Sequence, residues 1–386
     1  MGTFSEYLDR GWGFPELTAE RKKQLARVAD VRKRDVLVYA ADLKKGQAPI
    51  AISYPDLLPI LDQISNLSGA SLDLVLETPG GSAEIAEQIG RIIRDKYPDV
   101  AVIVPGTAKS AGTIMTMAAD EILLDHSSAL GPIDAQLTWQ GKVFSADALL
   151  KGFDRIKAEV ADGGPLNKAY IPILQGISPG ELESAQNQLD LAKDLVTEWL
   201  TTYKFSRWDV HSSTGQPVTL PEKHAQADKI ATALCKHSKW RSHGRSIMLK
   251  DLQEMGLKIT DYSRQPDLAD AIGRYFTLLQ MTFETNIYKV FETPTSQIVR
   301  FIPAAGGEPP RPPADANASV ISLTCQRCGR AIRIQANLDK PYPLEAGCLP
   351  FPRENKLPCP GCGIEHDLTA IRRQIELQTK RKVVTD

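Results

Sequence analysis

Two short stretches carry residues whose types and spacing suit acyl transfer. In ETPGGSAE, Glu77 to Glu84, Pro79 stiffens a turn, while Gly80 and Gly81 can adopt conformations that aim amide N–H groups outward with no side chain in the way. In VPGTAKSAGT, Val104 to Thr113, one serine, Ser110, stands between Lys109 and the small residues Ala111 and Gly112. An acyl-transfer site needs a serine oxygen about 3 Å from the carbon it attacks, with preorganised N–H donors where the carbonyl oxygen becomes negative. At the start of a helix, Ser110 would have unsatisfied amides and the positive end of the helix dipole beside it. Taken singly, a serine before a helix is usually a cap and Pro-Gly-Gly is usually a turn. Their pairing, at the ends of successive strands, favours a nucleophile with an oxyanion site.

A second chemistry lies near the other end. CQRCG and CPGCG place Cys325, Cys328, Cys359 and Cys362 in two C-x-x-C knuckles about thirty residues apart, each followed by a glycine. Four thiolates fix a tetrahedral zinc with no open position, so the expected metal is one structural Zn2+ per chain. A module of about fifty residues has too small a core to fold without such a staple. His366 is a lesser candidate ligand. Cys348 stands alone, and Cys235, in a helical pattern with Ile230 and Leu234, reads as core.

The elements that must position these groups show in the apolar pattern. From Asp35 the chain alternates between DVLVYAA, LDLVLE, a helix from Ser82, VAVIVP, a helix from Ser110 and EILLD. The runs lack polar alternation, as expected for strands of a parallel sheet covered on both faces. Ile85, Ile89, Ile92 and Ile93 form one stripe suited to packing on that sheet. Farther on, ISPGELESAQNQLDLAKDLVTEWL opens with a capping box, Ser178 to Glu181, and puts Leu182, Ala185, Leu189, Ala192, Val196 and Trp199 on one helical face. Two more helical patterns follow, around ADKIATALCKH and along PDLADAIGRYFTLLQMTFETNIYKVFE. The expected domains are 1–302 for the α/β body, 303–319 for a Pro/Gly-rich linker, 320–370 for a zinc ribbon and 371–386 for a basic tail. Lys plus Arg number 46 against 47 for Asp plus Glu. That balance gives no global reason to expect nucleic acid or membrane, leaving nucleic acid only the ribbon and basic tail. With no apolar signal segment and no membrane span, the expected location is the cytoplasm.

LDLVLETPGGSAEIAEQIGRIIRD, VAVIVPGTAKSAGTIMTMAADEILLD and SALGPIDAQL resemble the core of the serine dehydrogenase proteinase family, Clp-fold relatives of signal peptide peptidase A and the Clp peptidase. The resemblance is strong from about Leu72 to Leu137 and traceable to about Glu292. It implies a ClpP/crotonase-type spiral of ββα units, a homo-oligomer, and an ATP-independent serine peptidase acting on protein or peptide. Ser110 is then the nucleophile, and Gly80, Gly81 and Ala111 supply the oxyanion hole. SHGRSIMLKDLQEMGL is similar to the late Gly-Arg, helix and Gly-Leu segment of these proteins.

The base is the open position. Clp peptidase carries a histidine just past the strand after the serine, where LGPIDAQL has none. The candidates are Lys168, Lys157, Lys142 and His126. Lining up GGPLNKAYIPILQGISPGELE with the lysine region of signal peptide peptidase A selects Lys168, with Ala169, Ile171 and Ile173 as apolar surroundings that would depress its pKa. Asp134 reads as a turn residue or as a group that orients a base, His243 and Arg245 as stabilisers of a turn, and Lys109 as a surface charge. Two competing functions stay in play: a catalytically silent scaffold whose ribbon binds protein or nucleic acid, and a crotonase-type acyl-CoA enzyme using the same oxyanion turns.

Overall fold

The structure, a computed structural model, describes residues 2–139, 142–161, 165–211, 213–302, 317–379 and 381–385. It divides into two compact units, Met1–Ile302 and Pro303–Asp386.

The first unit begins with α1 (Thr3–Leu8) and α2 (Phe14–Arg32), followed by β1 (Asp35–Ala41), α3 (Leu57–Ser65), β2 (Ser71–Glu77), α4 (Ala83–Lys96) and β3 (Asp99–Ile103). Then come a two-residue β4 (Thr107–Ala108), α5 (Ala111–Met117), β5 (Glu121–Leu124), a two-residue β6 (Ala129–Leu130) and the antiparallel pair β7 (Gln136–Trp139) and β8 (Lys142–Ser145). The middle is helical: α6 (Ala146–Ala161), α7 (Ile171–Gln175), α8 (Pro179–Trp199), α9 (Leu220–Cys235) and α10 (His237–Trp240). It closes with β9 (Ile247–Met248), α11 (Leu249–Glu254), β10 (Thr260–Asp261), α12 (Pro266–Phe283), β11 (Ile287–Glu292) and β12 (Gln297–Phe301).

The main sheet has the order β10-β5-β3-β2-β1-β11-β12, parallel from β10 to β1, with β11 and β12 antiparallel. The apolar runs become its buried central strands, and successive side chains part to opposite faces. Leu37, Tyr39, Leu74 and Val102 join one core with α4 and α8, whereas Val36, Val38, Val75 and Ile103 join another with α2 and α12. This is the ClpP-like mixed α/β fold that the motifs imply. The capping box at Ser178 forms as read, and Gly90 gives Trp199 room: a Cβ there would lie 2.7 Å from its ring.

One helical expectation changes. The pattern from Pro266 does not run on through NIYKVFE; α12 stops at Phe283, and Ile287–Glu292 extends as β11 against β1. The β-branched and aromatic residues Ile287, Tyr288, Val290 and Phe291 suit a pleated surface better than a helix.

A second, smaller sheet matters most for function. β4 pairs parallel with β6, and β6 pairs antiparallel with β9. Ser110 lies two residues after β4, Asp134 four after β6, and His243 four before β9.

The second unit holds β13 (Ala318–Thr324), β14 (Ala331–Leu338), β15 (Cys348–Pro350), β16 (Lys356–Pro358), β17 (Glu365–Asp367), α13 (Thr369–Thr379) and β18 (Val383–Val384). Most of the expected linker, residues 303–316, lies outside the described residues, and β13 already begins at Ala318. The expected basic tail is instead a working part of this unit. Ile375 and Val383 enter its core, β18 pairs with β14, and Arg372 donates to Asn355 Oδ1 and Val383 O. No helix among the described residues is long and apolar enough to cross a membrane.

Candidate active site

β4 ends at Ala108 and α5 starts at Ala111, so Lys109 and Ser110 make the whole turn between them. Lys109 N–H donates to Thr78 O at 3.0 Å and Gly112 N–H to Lys109 O at 2.8 Å. Held from both sides, Ser110 adopts φ +49° and ψ −118°. Left-handed or otherwise sparse conformations cost a residue with a side chain roughly 1–3 kcal/mol and persist where the surroundings over-determine them. Ser110 heads α5 yet makes no capping bond to it. The strained strand-to-helix turn and the uncapped hydroxyl suit a nucleophile better than a cap. Ser110→Gly is therefore expected to stabilise the chain by about 1 kcal/mol in urea titrations while removing activity. A destabilised variant would show that the turn stores no strain.

The two glycines have separate tasks. Gly80, φ +99°, is a clearance position: a Cβ would lie 2.7 Å from both Ser110 Cβ and Lys109 O. Its own N–H leans on Thr78 Oγ1 at 3.2 Å. Gly81, φ +151°, presses on Ile52, which donates to Gly80 O at 2.8 Å. A trans peptide points the Gly81 N–H opposite to that carbonyl, away from Ile52. Gly81 and Ala111 both line the cavity that contains Ser110, so their amides are better placed as oxyanion donors than that of Gly80. Thr113 of the Ser-Ala-Gly-Thr run steadies the floor: its Oγ1 lies 2.9 Å from the carbonyls of Ala108 and Gly131 and accepts Gly131 N–H at 3.0 Å. Beneath the turn, the buried Glu77 carboxyl accepts Thr107 N–H at 2.7 Å, and burial pushes its pKa up to about 8.

The cavity, about 320 Å3, is walled by Ile114, Ile133, Leu191 and Ala192 and also holds Asp134 and His243. Asp134 is fully buried, with His243 Nδ1 2.8 Å from Oδ1 and His237 Nδ1 2.8 Å from Oδ2. Burial raises the Asp134 carboxyl, but the hydrogen bonds from His243 and His237 outweigh it and hold the group below its ordinary value. An ionised carboxylate only accepts, so each ring donates from Nδ1, and Nε2 of a neutral His243 is left as an acceptor. That is the arrangement of an oriented general base.

The expected bases fall elsewhere. Lys168 is exposed on a short 3-10 turn, Ala169 is exposed, and Ile171 and Ile173 are 40% and 51% exposed, so the apolar surroundings expected of it are missing. Gly163 and Gly164, which open GGPLNKAY ahead of it, lie outside the described residues. Lys157 pairs loosely with Asp154, and Lys142 and His126 are exposed. None of the four lines the Ser110 cavity. Lys109 is not a surface charge either: its ammonium is half-buried among carbonyls. Sequence reasoning misses His237 and takes His243 for a stabiliser of a turn, while Asp134 is expected as a turn residue or as a group that orients a base. The signal that could have found them is the order serine, aspartate, histidine, with each group a few residues from a very short strand.

In the second unit the four cysteines converge, all Sγ atoms lying within 4.8 Å of one another. Cys325 and Cys362 are 3.6 Å apart, Cys328 and Cys359 3.7 Å. Tetrahedral thiolates at a Zn–S distance of about 2.3 Å would be about 3.8 Å apart, so the set fits that metal. Each knuckle closes alike, with Gly329 N–H on Cys325 O and Gly363 N–H on Cys359 O, both glycines at positive φ. The Gly361 amide on Cys359 Sγ holds that thiol below its ordinary range. His366 sits on β17 outside this group, Cys235 is partly buried and packs against the core, and Cys348 is a buried strand residue.

Residues 60–173 match the family model of the ClpP-like SDH-type serine proteinase, the family that the motifs resemble. The matched stretch includes Gly80, Gly81, Ser110 and Asp134, whereas His243 lies beyond it. Among curated proteins, the chain is similar to two uncharacterized proteins of Methanocaldococcus jannaschii. One is 29% identical over 189 residues, 49% of this chain and 53% of the relative; the other is 35% identical over 91 residues, 24% and 30% respectively. The chain thus spans about half the length of the first relative and less of the second. Among solved structures it is similar to the 1510-N membrane-bound stomatin-specific protease. A serine-to-alanine mutant of that protein matches with a TM-score of 0.33 and 13% identity, over 57% of this chain and 79% of that one. A lysine-to-alanine mutant in complex with a substrate peptide matches with a TM-score of 0.31 and 14% identity, over 56% and 70%.

Proposed function

We propose that this chain, a ClpP-like serine proteinase of the SDH type over residues 60–173, cleaves peptide bonds without ATP through an acyl-enzyme on Ser110. The observation that carries the reading is one cavity holding a strained, uncapped serine and a histidine already oriented by a buried aspartate. His243, rather than Lys168, is the base in this reading.

The steps of this reading are those of an acyl-enzyme hydrolysis. His243 Nε2 takes the Ser110 hydroxyl proton as Oγ attacks the scissile carbonyl, whose oxygen becomes negative against the amides of Gly81 and Ala111. Asp134 holds the ring in the Nδ1–H tautomer and stabilises the imidazolium. The imidazolium gives its proton to the leaving amine as the C–N bond breaks. Water, deprotonated by the same Nε2, then releases the acyl group and regenerates Ser110. Ile114, Ile133 and Ala192 give the cavity an apolar wall beside this exchange. The four cysteines hold a structural zinc that takes no part in it. A homo-oligomer belongs to the same reading, with exposed Val143, Ile171 and Ile173 as apolar surface available to another copy.

A fluorophosphonate probe followed by intact-mass analysis, run beside light scattering, tests the proposal. One adduct per chain is expected, absent in Ser110→Ala. No adduct on folded protein would favour the silent scaffold.

A further inference from the structure

We propose that Lys109, the residue before the nucleophile, is a positioning residue that holds the His243 loop in register with Ser110 and Asp134. The inference rests on the reading of His243 as the base.

Lys109 Nζ lies 3.0 Å from Arg245 O and from Ser246 Oγ, and 3.3 Å from Gly244 O and Leu130 O. Three of these contacts lie in the segment after His243 and the fourth on the strand that leads to Asp134. Lys109 shares a peptide bond with Ser110, Gly244 shares one with His243, and Leu130 ends the strand that leads to Asp134. One ammonium thus gathers the three segments, without lining the cavity itself.

The His243 loop needs such a hold. Arg241, Ser242, Gly244, Arg245 and Ser246 are all exposed, so almost no apolar packing fixes the segment before β9. The small sheet that joins the segments has only two-residue pairings. Beyond these, the loop is held by His243 on Asp134 and by Lys109. A lysine used for solubility would carry its charge into water. Here burial lowers its pKa, and it pairs with carbonyls and a hydroxyl rather than with a carboxylate among the described residues. Three N–H donors facing four oxygens suit a clamp rather than a base. Gly131 leaves the side chain its path: a Cβ there would meet Lys109 Cδ at 2.6 Å.

The test uses the fluorophosphonate probe and separates the maximal inactivation rate from the half-saturating concentration, in wild-type and His243→Ala backgrounds. Lys109→Met is expected to lower the maximal rate about 100-fold, to shift half-saturation by less than about 3-fold, and to cost less than about 2-fold more once His243 is gone. Gly131→Ala, which displaces the lysine without changing it, should give the same pattern and decides the matter if Lys109→Met fails to fold. An unchanged maximal rate, or a loss that multiplies with His243→Ala, overturns the clamp while leaving His243 as base. A fully reactive His243→Ala instead overturns the base assignment, and the clamp with it.

Discussion

His243→Ala is expected to lower turnover at Ser110 by about 10^3-fold or more, while Lys168→Ala leaves it within about 2-fold. The difference follows from the cavity. His243 enters it with Nδ1 fixed on Asp134, whereas Lys168 stands exposed outside its lining. His237→Ala is the informative control, because His237 uses the other oxygen of the same carboxylate but does not line the cavity. It should keep most activity. The fold should survive the loss of His243, since Asp134 retains His237 and the Gln136 amide at 3.1 Å. The pH profile gives a second reading. The Asp134 carboxyl is held below its ordinary value, so it contributes stability above its unfolded pKa, loses that contribution only as pH falls through the lowered folded value, and stays ionised at neutral and mildly acidic pH. No loss of rate at mildly acidic pH is then expected from the Asp134 carboxylate itself. A rate that keeps climbing into alkali, with Lys168→Ala inactive and His243→Ala active, would return the role to lysine.

Why Ser110 was legible and His243 was not has a physical cause. The proposed nucleophile and its glycines follow closely on the unbroken apolar runs of β3 and β2, so their position at a sheet edge follows from local pattern. His243 is brought in by β4, β6 and β9, two residues each, too short to leave any periodicity. Its partner Asp134 is 109 residues away. Lys168 was chosen by distance from a helix that does exist, α8, but sequence distance says nothing of which side of the fold a loop covers. The amino-terminal helix α2 was missed for a related reason. It buries Arg21 and Gln24 where an apolar stripe would be expected, and Arg21 is satisfied by Glu292, 271 residues on, and by Thr282. Likewise the charges of IRRQIELQTKRK hid an amphipathic helix that gives Ile375 to the second core. The cysteine knuckles were legible because metal chemistry is written in local spacing.

Cys325→Ser is expected to lose the zinc and to unfold residues 317–385, leaving the first unit folded and Ser110 reactive toward the probe. The second unit has a small core, chiefly Ile321, Ile332, Ile334, Leu338, Phe351, Leu357, Leu368 and Ile375, alongside two buried cysteines of the cluster. Four sulfur atoms within 4.8 Å of one another are also a liability without a cation, because binding-competent thiolates repel at that distance. A structural zinc supplies about 10–16 kcal/mol in isolated zinc-finger peptides at neutral pH, more than a core of this size can replace. A serine hydroxyl at one corner leaves three thiolates and opens the closed site. Metal analysis should give one zinc per wild-type chain and little in the variant, and limited proteolysis should cut the variant after Ser319 while sparing 2–302. Acid should mimic the substitution, since protonated thiols do not bind zinc. Probe labelling should persist through all of these treatments, because Ser110, Asp134 and His243 belong to the unit that ends at Ile302. Full zinc occupancy in Cys325→Ser would remove that residue from the ligand set, and loss of labelling on chelation would give the metal a part in the chemistry that four closed thiolates do not allow.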